Sequence, residues 1–142
     1  MRFRMTYLLI CGAAIFWSSA AIAQTAYLEG HVFNREASVP IRGAAFVVYE
    51  NVTLGPVPIL LAEGVTDDNG FYQVGVTTVF PIGVIEVFCR MPDGVVVRGT
   101  SYAPLQDRTI RRRDIYLKTP RSLRKCLKLE PGDIPPFRRS RS

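Results

Sequence analysis

"VTDDNGFYQV", residues 65–74, decides the fold. Four polar turn-formers, Asp67, Asp68, Asn69 and Gly70, stand between apolar stretches. A calcium loop would need roughly six to eight oxygen ligands, a third acidic position and a distal glutamate. Phe71, Tyr72 and Gln73 follow instead. Asn and Gly tolerate positive φ, and Asp carboxylates bond nearby backbone N–H groups. Asp67–Gly70 therefore reads as a structural turn joining two strands, with no metal expected.

Working outward, the same alternation recurs. Residues 26–33 (AYLEGHVF) alternate apolar and polar. Residues 38–43 (SVPIRG) form a Pro- and Gly-marked turn, followed by 44–50 (AAFVVYE). Then come 58–66 (PILLAEGVT), 71–78 (FYQVGVTT), 82–91 (IGVIEVFCRM), 95–102 (VVVRGTSY) and 112–118 (RRDIYLK). These are seven strand candidates that begin 11–18 residues apart, with turn chemistry between them and no 3.6-residue period. The pattern predicts an all-β fold, a sandwich or barrel. In the 82–91 run, Ile85, Val87, Cys89 and Met91 share the face expected in the core. Val84, Glu86, Phe88 and Arg90 share the other.

The turns also carry a resemblance. Gly30-x-Val32, then Val39-Pro40-Ile41-x-Gly43-Ala44-x-x-Val47, then Thr66-Asp67-x-x-Gly70-x-Tyr72 resembles the carboxypeptidase regulatory-like domain. The likeness runs over about residues 27–118. It implies a transthyretin-like (prealbumin-type) seven-strand Greek-key β-sandwich. It also implies an accessory, adhesive or carbohydrate-associated role, not a catalytic one.

The chain of 142 residues opens MRFRMTYLLICGAAIFWSSAAIAQ. Arg2 and Arg4, an apolar run from Tyr7 to Trp17 and the Ala21-Ile22-Ala23 ending have the layout of a secretory signal. The expected division is a signal peptide over 1–23, a β-sandwich domain over 24–119 and a basic, Pro-containing tail over 120–142. Export, to the periplasm or medium, follows. No further apolar run is long enough to span a membrane, which takes about 20 residues. Beyond the signal, Cys89 and Cys126 are the remaining cysteines. In an exported protein such a pair suggests one disulfide, the alternative being two free thiols. Closing that loop is worth about 3.8 kcal/mol in the chain-entropy description.

No catalytic constellation stands out. His31 is the sole histidine, and Glu29, Glu36, Glu50, Glu63 and Glu86 are scattered singly. No cofactor is expected. Net charge is +6, and 12 of the 16 basic residues beyond the signal lie from Arg108 onward. Arg111, Arg112, Arg113, Arg121, Arg124, Lys125 and Lys128 are the candidate binding cations. Residues 122–129 (SLRKCLKL) suit one helical turn or a clamp held by Cys126, and 135–142 (PPFRRSRS) read as a disordered tail. The sum is an exported, non-enzymatic β-sandwich that binds or scaffolds. Its expected partner is an envelope component or partner protein, an anionic one among the options; nucleic acid is not an expected physiological partner. The alternative is a carbohydrate-binding accessory module using exposed aromatics among Tyr49, Phe71, Tyr102 and Tyr116.

Overall fold

In the computed structural model, which describes residues 24–50, 57–105 and 110–139, the chain forms two facing sheets. Among those residues there is no helix. The leader expected over 1–23 lies outside the described residues, as do Arg108 and Arg141.

The first layer is organised by β1 (Gln24–Asn34). Ala26, Leu28, Val32 and Asn34 are buried on its inner face; Tyr27, Glu29, His31 and Phe33 face outward. β2 (Val39–Pro40) and β5 (Phe71–Thr78) pair with it antiparallel. β8 (Ile110–Arg112) and β9 (Ile115–Leu117) pair with it parallel. The second layer has the order β10 (Arg138–Arg139), β4 (Ile59–Val65), β3 (Ala45–Glu50), β6 (Ile82–Arg90), β7 (Val96–Pro104). β3 and β6 are neighbours although two strands separate them in sequence, because β5 crosses to the first layer. The fold is an all-β sandwich, and each of the seven expected runs falls on strand.

The seventh run is not one strand. It breaks between β8 and β9, where the Arg113 carbonyl turns toward β1. A Cβ added at Gly30 would sit 1.9 Å from that oxygen, so only glycine fits there. The Tyr72 hydroxyl donates to the same carbonyl, and burial pushes the Tyr72 phenol pKa up. Arg113 N donates to Glu29 O at 2.8 Å. The Asp114 carboxylate accepts from His31 N at 2.9 Å, supplying the acceptor that the broken strand withholds.

Residues 66–70 carry the chain from one layer to the other. β4 and β5 belong to different sheets, so this turn is a corner between layers and not a hairpin within one. Its two ends are tied to different partners. The Thr66 hydroxyl accepts from Ala44 N at 2.9 Å and donates to Ile41 O at 3.0 Å. Val32 N donates to Gly70 O at 2.8 Å. Between them the Asp67 carboxylate accepts from Asn69 N and Phe71 N at 2.8 and 2.9 Å. Gly70 has φ +69° and packs within 2.9 Å of Pro40 at its would-be Cβ, so both conformation and space demand glycine. Asp68 and Asn69 stay exposed.

Ile85, Val87 and Cys89 are fully buried in the core, with Met91 packed at its margin. Cys89 and Cys126 form a disulfide. The opposite face of β6 holds a correction, for Val84 and Phe88 are buried too. Residues 126–139 cover that outer face. Leu127 bridges to Arg90, and Arg90 pairs with Asp133 at 2.8 Å and with Glu130 at 3.6 Å. Ile134 lines a shallow hollow on that face together with Ala45, Val47 and Val65. The Phe137 ring meets Tyr49 at 5.2 Å, and β10 adds to the edge of β4. Residues 135–139 are thus docked, not disordered, because apolar side chains and an ion pair give the Pro-rich stretch places to land. Residues 122–129 form the clamp, not a helical turn. Each apolar side chain so covered is worth about 1.5–3 kcal/mol.

The Asp133 carboxyl is held below its ordinary pKa, first by the Glu130 N–H and next by the Arg90 guanidinium. A depressed carboxylate pKa stabilises the folded state above the unfolded value and loses that effect as pH falls through the folded one. We therefore expect the Glu130 amide, bonded to Asp133 at 2.7 Å, to lose exchange protection below about pH 4. Asp133→Asn should do the same at neutral pH, with β-core amides unchanged; amide exchange followed by NMR checks both.

Candidate functional site

One end of the sandwich is built around Asn34, a fully buried polar side chain. Its Nδ2 donates to Pro120 O and Leu123 O, and its Oδ1 accepts from Glu36 N and Ala37 N. That single amide ties the turn after β1 to the segment after β9. Around it the backbone bonds Arg35 N to Leu117 O at 2.9 Å, and Arg42 N to Arg124 O at 3.0 Å. Cys126 N donates to Arg42 O at 3.0 Å.

The result is a concentration of exposed cations at this end: Arg35, Arg42, Lys118, Arg121, Arg124 and Lys125. Among the described residues no carboxylate lies in an ion pair with any of the six. Arg124 folds back onto the Arg121 and Leu123 carbonyls, which fixes its position and leaves its charge uncompensated. Glu36, Asp67 and Asp68 belong to neighbouring turns, so positive charge outweighs negative.

The other sequence-derived candidates fall elsewhere. Arg112 is paired with Glu29 at 3.2 Å. Arg113 donates to Tyr102 O and Arg112 O, and Arg111 is half-buried. Lys128 is exposed beyond the Arg90–Leu127 bridge. Arg121, Arg124 and Lys125 are brought together; Arg111–Arg113 are not part of that group. Arg35 and Arg42 were missed. Nothing local marks them, because their places depend on chain segments far along the sequence.

The aromatic candidates divide similarly. Tyr49 is half-buried beneath Phe137, and Tyr102 is exposed on β7. Phe71 and Tyr116 belong to a row of rings on the outer face of the first sheet. Phe71 lies 5.2 Å from His31, His31 5.6 Å from Phe33, and Phe33 5.3 Å from Tyr116. Cross-strand register makes the row, with His31 opposite Phe71 and Phe33 opposite Tyr116. His31, the sole imidazole, is packed between phenyl rings, its Nδ1 3.9 Å from Asp114. Among the described residues no group of three or more His, Cys, Asp or Glu side chains is placed to hold a metal ion.

No family model and no curated protein matches the chain. Solved structures resemble it distantly. A 9R-lipoxygenase from Cyanothece PCC8801 aligns over 77% of this chain and 18% of its own, at 16% identity and a TM-score of 0.44. BcpA, the major pilin subunit of Bacillus cereus, aligns over 67% and 30%, at 16% and 0.42. The shaft pilin SpaA of Lactobacillus rhamnosus GG aligns over 67% and 49%, at 12% and 0.41. The chain thus spans less than half of each of these proteins. At likenesses this low none of them bears on what the chain does.

Asn34→Ala would strand the Glu36 and Ala37 amides, while the Pro120 and Leu123 carbonyls keep bonds from Leu123 N and the Arg124 guanidinium. Each buried group left unpaired costs about 1–3 kcal/mol, so the variant should lose about 3 kcal/mol in denaturant unfolding.

Proposed function

We propose that the chain is an exported, non-enzymatic β-sandwich of the carboxypeptidase regulatory-like kind. It acts as a binding or scaffolding module, in the periplasm or outside the cell. Its cationic end engages an anionic component of the envelope or an anionic partner protein. The observation behind this reading is the set of six cations around Asn34, held by backbone bonds and without carboxylate partners among the described residues. Like charges are costly to gather at one place, and a rigid frame that gathers them favours a counter-charged ligand. The packing of His31 between Phe33 and Phe71, with Asp114 beside it, supports a structural imidazole over a catalytic one. The leader layout and the disulfide support export. Among the described residues no helix is long and apolar enough to cross a membrane.

A second reading, the carbohydrate-binding accessory module, draws on one observation, the row of rings from Phe71 to Tyr116.

Near an anionic surface each Lys or Arg contributes about 1 kcal/mol, screened by salt. Replacing Lys118, Arg121 and Lys125 together by Gln should weaken binding to envelope fractions on the order of a hundredfold at low salt. High salt should weaken the unmodified protein similarly. Binding unaffected by both changes contradicts the proposal.

A further inference from the structure

The cationic end and the ring row are not separate features. Arg35 follows the end of β1 two residues after Phe33, Lys118 follows the end of β9 two residues after Tyr116, and both are exposed. Because Phe33 opposes Tyr116, and Arg35 N bonds Leu117 O, the two cations stand side by side at the upper border of the rings. At the lower border is the Glu29–Arg112 pair, with Gln73 opposite Glu29 in the register. The first sheet therefore presents an open strip of π surface with a cationic border and hydrogen-bonding groups along its flank. By contrast, the outer face of the second sheet is covered by residues 126–139 of the same chain.

We propose that this strip is the binding site for an acidic polysaccharide. A pyranose ring has an apolar C–H face that packs on aromatic rings and a rim of hydroxyls. The rings take the face, and Gln73, Glu29 and Asp114 take hydroxyls. Arg35 and Lys118, with Arg121 beyond them, take the carboxylates of the polymer. Charge complementarity at that border selects an acidic chain over a neutral one. Burying the Asp114 carboxylate of the strip in lipid would cost several kcal/mol unless neutralised, by the general penalty for burying charge, which disfavours a membrane as the occupant. The inference rests on the cationic-end reading above and adds to it a second, uncharged set of contacts.

The test is binding of polygalacturonate, its fully methyl-esterified neutral form, anionic phospholipid vesicles and single-stranded DNA. It uses the full chain without its leader, followed by tyrosine fluorescence and by NMR shifts. The expected result is binding of polygalacturonate that weakens at least tenfold on esterification and at least fivefold in Tyr116→Ala. Tyr116 is 53% exposed, so the variant should keep the fold. Shifts at the Phe33, His31 and Phe71 rings in the unmodified protein report the same contact without any substitution. Unchanged affinity in Tyr116→Ala, with no ring shifts, would overturn the inference. Should Arg35→Gln with Lys118→Gln still abolish binding, the cationic reading would survive alone. Tighter binding of vesicles or DNA than of polygalacturonate would overturn the choice of ligand, and no binding to any of the four would sink both readings.

Discussion

The disulfide between Cys89 and Cys126 is the constraint on which the rest of the molecule depends. Residues 118–139 contain almost no regular structure of their own. Ordering such a segment costs about 1–2 kcal/mol per residue in backbone entropy, more than its few isolated bridges can offset. Fixing Cys126 to Cys89, next to the last residue of β6, shortens the search on both sides of the bridge. Upstream, Arg42, Arg124 and Asn34 then hold the cations in place. Downstream, Arg90 meets Asp133, and Ile134 and Phe137 settle on the second sheet.

The consequence is an asymmetry between the two outer faces. The second sheet carries Val47, Val84 and Phe88 on its outside, and the chain's own C-terminal segment covers them. It also shields the edge of β4, which would otherwise offer unpaired backbone groups. The first sheet has no such cover among the described residues, and its outer face bears rings, one ion pair and a border of cations. A chain that seals one apolar face and leaves the other open has a surface available for a ligand on the open side. The Gly30 contact sharpens this. By receiving the Arg113 carbonyl it breaks the last strand, and that break sets Asp114 beside His31 and Tyr116 beside Phe33.

Much of the fold was legible in the sequence because its signals are local. Alternation along β1 and β6, the positive φ of Gly43 and Gly70, and the Asp67 bonds to Asn69 N and Phe71 N are each matters of near neighbours. The docked C-terminal segment was not legible, since residues 131–139 have no period and their partners lie far away in sequence. One signal did exist. Val84 and Phe88 make both faces of β6 apolar, which requires a cover on each side. For the site, the cations from Arg121 to Lys125 could be picked out by composition, whereas Arg35 and Arg42 join them only through strand register and the Asn34 bonds. Phe71 and Tyr116 were nameable as aromatics; that they form one row with His31 and Phe33 depends on pairings across three strands. The turn at residues 67–70 could be named from its residues, but turn chemistry does not say which sheet the next strand enters.

Amide hydrogen exchange on the oxidised protein tests the central claim most directly. The C-terminal segment is held as part of the sandwich, so the amides of Arg42, Cys126, Leu127 and Arg138, each bonded to a backbone carbonyl across the junction, should exchange far more slowly than free chain. Reducing the disulfide should release Cys126, Leu127 and Arg138 while amides within β1, β3 and β6 stay protected. Free-chain exchange at those three positions before reduction would contradict the account.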